Sequence, residues 1–182
     1  MVRQPPGDDD QTIVGCTAAI QSGQFSGPGL AAEYRYRGMS YRNKGLFDQA
    51  IADYNRAIIL KPNFADAYDD RGIAYFDKGL LDQAIADYTQ AIARAPGSVY
   101  PYYYSNRGDA YKSKHLYDQA IADYTQAIAL QPDDANAHRN LAVAYEGKGL
   151  RDKAIAEFRA ALAYDPSMTF ARQALIRLGV TP

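Results

Sequence analysis

Apolar positions recur along this chain in two alternating helical rhythms. Tyr34, Gly38 and Tyr41 stand at i, i+4 and i+7; after a polar break, Ala50, Ile51, Tyr54, Ala57 and Ile58 repeat the helical spacing. Each run predicts a helix with one apolar face, and the pair of runs then repeats. The segment Asp-Gln-Ala-Ile-Ala-Asp-Tyr occurs at Asp48–Tyr54, Asp82–Tyr88 and Asp118–Tyr124, with a variant, Asp-Lys-Ala-Ile-Ala-Glu-Phe, at Asp152–Phe158. Ala50, Ala84, Ala120 and Ala154 form one column of the repeat. Pro62, Pro96, Pro132 and Pro166 form another, and Gly38, Gly72, Gly108 and Ala142 a third. Four units follow, at 31–64, 65–98, 99–134 and 135–168, with a two-residue insertion (Val99, Tyr100) opening the third.

The punctuation fits two helices per unit. Gly45, Gly79 and Gly149 fall where a helix ends, and His115 takes that place in the third unit. Asp48, Asp82, Asp118 and Asp152 sit in the first turn of the second helix, where negative charge suits the dipole. The prolines close each unit. Gly38, Ala50 and Ala57 are small enough for paired helices to approach closely, and Tyr34, Tyr41 and Tyr54 fill the space around them. One pair alone cannot bury its apolar face, so the units stack.

The pattern Tyr34…Gly38…Tyr41…Ala50…Tyr54…Ala57…Pro62 resembles the tetratricopeptide repeat (TPR), matched by four consecutive units over about three quarters of the chain. The resemblance implies an all-α fold, a right-handed superhelix of stacked antiparallel helix pairs, whose first helices line a concave groove for a peptide or partner protein. It assigns that groove Arg35, Met39 and Arg42 in the first unit and Asp69, Ile73 and Phe76 in the second. The third supplies Tyr102, Ser105, Asp109 and Lys112, and the fourth Asn136, Arg139, Val143 and Glu146. Helices packed about 8–10 Å apart would give a groove roughly 30–40 Å long. An extended peptide of on the order of ten residues would fill it. One electrostatic match is a peptide with its acidic end near Arg35 and Arg42 and a basic part near Asp66, Asp69 and Asp70; ordinary solvated side chains are the alternative. TPR co-chaperones that clamp a terminal carboxylate use lysine, asparagine and arginine. Arg35, Met39, Asp70, Tyr102 and Asn106 stand in those columns, and only Arg35 suits that chemistry.

The ends are expected to differ from the repeats. Residues 1–9 read as a flexible start, with Asp8, Asp9 and Asp10 solvated. Residues 10–30 read as a half-repeat helix, with Ile13, Cys16 and Ile20 facing inward, followed by a linker at Ser22–Gly29. At 169–182, Ala171, Ala174, Leu175 and Leu178 mark an amphipathic capping helix. Two capped ends are expected of a complete domain.

Chemistry that would make an enzyme does not converge in the sequence. His115 and His138 lie in different units, and neither has a metal-ligand or triad arrangement around it. The expectation is no catalytic residue, no cofactor and no metal. The carboxylates recur in register, as a structural column does. One column departs from the TPR pattern, which prefers leucine there: Arg37, Arg71, Arg107, then Leu141. Each arginine is expected to pair with an aspartate of its own or an adjacent unit, from the column Asp53, Asp87 and Asp123, which becomes Glu157 where the arginine is missing; an arginine row facing a ligand is the alternative.

Composition narrows the partners. A net charge of −1 from 20 basic and 21 acidic residues gives no footprint for nucleic acid. No apolar run is long enough to insert in a membrane. The 16 tyrosines mostly occupy core columns, but Tyr100, Tyr102 and Tyr103 could form an exposed aromatic patch. The expected function is an adaptor that binds a protein or peptide. The alternative is a self-assembling module, a dimer or end-to-end stack without a peptide ligand. Without an apolar leader the compartment reads as cytoplasmic, or periplasmic if a leader has been removed.

Overall fold

The structure, a computed structural model, describes residues 9–95 and 100–181. The described residues form ten α-helices and no strand. The chain divides into two compact units, Met1–Gly97 and Ser98–Pro182. In the first, α1 (Asp9–Ser22) precedes the pairs α2 (Gly27–Asn43) with α3 (Phe47–Leu60) and α4 (Ala65–Asp77) with α5 (Leu81–Arg94). In the second, α6 (Pro101–Ser113) pairs with α7 (Tyr117–Leu130), α8 (Ala135–Gly147) with α9 (Arg151–Tyr164), and α10 (Thr169–Arg177) packs on α9.

Every helix pair is drawn together by the same large and small side chains. Tyr54, Tyr88, Tyr124 and Phe158 are fully buried, beside Ala50, Ala84, Ala120 and Ala154. A Cβ on Gly38 would lie 2.8 Å from the Tyr54 ring, one on Gly72 2.7 Å from Tyr88, and one on Gly108 2.8 Å from Tyr124. These glycines let the first helix lie directly on the aromatic ring. Ala142 stands in the same column opposite Phe158, which has no hydroxyl.

The turn within each pair is a Schellman closure. Gly45 N–H donates to the Arg42 carbonyl at 2.9 Å and Leu46 N–H to the Tyr41 carbonyl at 2.9 Å; the same two bonds recur at Gly79–Leu80, His115–Leu116 and Gly149–Leu150. The closing residue is left-handed, with φ of 75°, 75° and 77° at the glycines and 59° at His115. A side chain at that φ costs about 1–2 kcal/mol, and the exposed contact from His115 Nδ1 to Tyr117 Oη (2.9 Å) returns only part of it. His115→Gly should therefore raise the melting temperature by roughly 2–4 °C. A thermal melt checks this.

The amino-terminal helix differs from its expected surroundings in two ways. First, α2 starts at Gly27, so the linker is shorter than Ser22–Gly29; Pro28 lies at the start of the helix, where its missing N–H goes unneeded. Second, Asp9 and Asp10 are helical: Asn43 donates to Asp9 at 3.1 Å and Lys44 pairs with Asp10 at 2.5 Å, though Asp10 stays largely solvated. Residues 1–8, including Asp8, lie outside the described residues. α1 packs on α2 with Cys16 buried. Burial pushes the Cys16 thiol up to about 11, helped by its hydrogen bond to Glu33, which leaves it a poor nucleophile at neutral pH. At the other end, Ala171, Ala174 and Leu175 of α10 are buried against Phe158 and Ala161.

Candidate functional site

The charged columns inside the helix pairs are bound up with one another. Arg37, at the middle of α2, donates from Nε and Nη2 to the two carboxylate oxygens of Asp53 at 2.7 and 2.8 Å. Arg71 does the same to Asp87 (2.7 and 2.7 Å) and Arg107 to Asp123 (2.8 and 2.8 Å). Each pair lies within one unit of the repeat, sixteen residues apart. The helix immediately before that of each arginine adds a further acceptor where the structure shows it: Thr17 of α1 for Arg37 (3.0 Å) and Asn55 of α3 for Arg71. Thr17 and Asn55 occupy one column, so α1 meets α2 as α3 meets α4.

Two tyrosines bracket each of these three guanidinium groups. Arg37 lies 5.5 and 5.8 Å from the Tyr34 and Tyr41 ring centroids, Arg71 5.5 and 5.9 Å from Tyr68 and Tyr75, and Arg107 5.9 Å from both Tyr104 and Tyr111. Much of the tyrosine enrichment is thereby explained. The hydrogen bond to Asp53 holds Arg37 above its ordinary range. For Arg71, burial works against the charge, and Asp87 more than offsets it. In the last pair the column changes as a set. Leu141 replaces the arginine, and His138, in the tyrosine column, turns its Nδ1 to Glu157 at 2.6 Å and its Nε2 to the Pro132 carbonyl at 3.0 Å, stacked on Tyr164. Because a carbonyl can only accept, the ring donates from Nε2 to Pro132.

The tyrosine beneath the glycine column separates two further environments. Tyr124 Oη donates to Asp109 at 2.7 Å, whereas Tyr54 Oη is buried without a hydrogen-bond partner among the described residues. Met39 stands where Asp109 does, which explains the difference. Burial pushes both hydroxyls upward, far from ionising. Tyr124→Phe should cost about 1.5–3 kcal/mol, since the bond is to a charged group, while Tyr54→Phe should cost nothing or stabilise by about 1 kcal/mol. Urea unfolding of the two variants side by side is the measurement.

On the first-helix side, the predicted groove residues divide. Arg35, Met39 and Arg42 share one face of α2 at i, i+4 and i+7, but both arginines are engaged by α4. Arg35 pairs with Asp70 at 2.5 Å and Asp66 at 3.5 Å, and Arg42 with Asp77 at 2.8 Å. Burial raises the Asp70 carboxyl, and the guanidinium of Arg35 draws it back. Asp69 is only 4% exposed, so it is not presented to a ligand as expected: its place on α4 turns it toward the core. Ile73 and Phe76 are half-buried. In the second unit, Asp109 is held by Lys112 (2.5 Å) as well as by Tyr124, and Arg139 lies beside Asn140 and 6.0 Å from the Phe170 ring. Glu146 pairs with Arg177 of α10 at 2.7 Å. Tyr102, Ser105 and Val143 are half-buried, and Asn136 is exposed. The repeat-plus-one spacing of Arg35 with Asp70 and of Arg42 with Asp77 was a readable signal for the pairs that reasoning by column overlooked.

The tyrosine-rich segment also departs from expectation. Tyr100 is half-exposed and stacks on Tyr102 (5.4 Å, 15°), but Tyr103 is 1% exposed because it occupies the buried column of Ala67 and Ala137. The patch is thus Tyr100 and Tyr102 only; Val99 lies outside the described residues. Among those residues no three metal-ligating side chains gather, and no helix is long and apolar enough to cross a membrane.

Stacked helix hairpins with a glycine–aromatic contact and buried column pairs define a helical-repeat protein of the all-α superhelix class. The family model for the TPR repeat matches residues 38–79 and 108–149, and that for the tetratricopeptide repeat matches 65–98 and 135–168. The chain belongs to the tetratricopeptide-repeat family. Its fold is similar to crystal structures of MamA, with 30% identity and a TM-score of 0.78 over 90% of this chain and 92% of that one. It is also similar to Cut9 in the APC/C hetero-tetramer Cut9–Hcn1 (25% identity, TM-score 0.80), where it covers 94% of this chain but 33% of the other. YrrB, described as a TPR protein with an unusual peptide-binding site, shares the fold at 21% identity and a TM-score of 0.74, over 90% and 82% of the two chains. A comparison with curated proteins by sequence gives no match.

Proposed function

We propose that the protein is a non-enzymatic adaptor that binds a peptide or a segment of a partner protein on its first-helix faces. The observation that carries this reading is the division of labour between columns. Arg37, Arg71 and Arg107, which repeat in register, are paired inside the helix pairs with Asp53, Asp87 and Asp123, whereas Met39 is 36% exposed on α2, and Ile73 and Phe76 of α4 are half-buried. Met39, Ile73 and Phe76, which vary from copy to copy, are the side chains this reading offers to a partner.

The test is site-specific photo-crosslinking in the native host. A benzophenone at Met39 is expected to capture partner proteins that the same group at Ile59, an exposed apolar site on the second helix α3, does not. Equal capture from both positions would sink the reading. A crosslinked product made only of two copies of this chain would instead favour self-assembly.

A further inference from the structure

The first-helix face of the first compact unit carries a charge and shape pattern that the second unit lacks. On α4, Asp66, Asp70, Ile73 and Asp77 share one face at i, i+4, i+7 and i+11, and the ion pairs turn that face toward Arg35, Met39 and Arg42. The two ion-pair rungs stand seven residues apart on each helix, about 10 Å along the axis. Met39 and Ile73 lie between them. In the second unit the corresponding positions are Ser105 with Asn140 and Lys112 with Gly147, which cannot make either rung.

The rungs do not cancel the charge of the face. Arg35 and Arg42 stand against Asp66, Asp70 and Asp77, leaving an excess of one negative charge. A carboxylate has about four acceptor sites, so Asp66 and Asp77, with side chains 33% and 30% exposed, can hold their arginine and still accept from a ligand cation. The arginines, each already facing a carboxylate, are poor hosts for an acidic group.

We infer that this face takes a segment with one large apolar side chain flanked by lysine or arginine. The apolar group sits on Met39 and Ile73, and the cations meet the Asp66 and Asp77 ends of the two rungs. The basic part expected near Asp66 from the sequence is kept, whereas the acidic end expected near Arg35 and Arg42 is dropped. It rests on the adaptor reading above.

The experiment is selection of a random dodecapeptide library on the intact chain, followed by fluorescence anisotropy of the enriched peptides. Two variants are tested alongside, Met39→Gln/Ile73→Thr and Asp66→Asn/Asp77→Asn, each checked for helix content by circular dichroism. The expected result is enrichment of lysine or arginine around a large apolar residue, with affinity lowered about tenfold by each variant. Enriched peptides that need Met39 and Ile73 but are acidic or uncharged, or that ignore Asp66→Asn/Asp77→Asn, would overturn this inference and leave the adaptor reading standing. Absence of enrichment, or peptides indifferent to Met39→Gln/Ile73→Thr, would overturn both.

Discussion

Asp87→Ala should destabilise the protein by about 3–5 kcal/mol, the loss expected when one partner of a buried ion pair is removed. The Arg71 guanidinium would remain between Tyr68 and Tyr75 with its two strongest acceptors gone and only Asn55 opposite. Arg71→Leu should be nearly as costly, because it strands the buried Asp87 carboxylate. Asp87→Asn in the Arg71→Leu background should then recover part of the loss, since a neutral amide needs no counter-charge. A double-mutant cycle from urea melts reads the coupling, expected at about 1 kcal/mol or more. Strictly additive effects would mean that the pair seen at 2.7 Å contributes nothing as a pair. The last helix pair illustrates the logic: Leu141 is accommodated there with Glu157 turned to His138.

The second large effect is expected at Gly38. Gly38→Leu should cost about 3 kcal/mol, at the upper end for overpacking, although leucine is the better helix former. Its Cβ would start 2.8 Å from the Tyr54 ring, and Tyr54 is fully buried and has no room to retreat. Gly38→Ala should be milder, and adding Tyr54→Phe should recover stability, because that hydroxyl has no partner to lose. The combination reproduces the natural pair Ala142 and Phe158. Thermal and urea melts of the single and double variants decide it; a Gly38→Leu variant as stable as wild type would show that the close approach is not required.

Both predictions concern columns visible in the sequence, and the reason is periodicity. A side chain made three or four times in register must meet the same neighbour each time, so a close approach at Gly38 and an aspartate partner for Arg37 can be inferred without coordinates; Tyr54 as the ring at Gly38 and Asp53 of the same unit as the partner of Arg37 come from the packing. The tyrosine bracket around each arginine was visible only as an excess of tyrosine in core columns. Tyr103 misled because it sits beside genuine surface tyrosines, and only its register with Ala67 and Ala137 marks it as buried.

The candidate binding face was less legible, for a physical reason. Its residues differ between units, so no repetition discloses their partners. Column reasoning presented Arg35 and Arg42 as open basic groups and Asp69 as an open acidic one. Packing of α2 against α4 decided otherwise: long arginine side chains reach across to the next helix, while Asp69 turns inward. What the sequence determined by itself was the all-α repeat, its helix pairs and its buried columns, because apolar spacing and small–large alternation act locally and repeat. What only the tertiary structure decided was which charges remain for a partner, because that depends on contacts between side chains that no period connects.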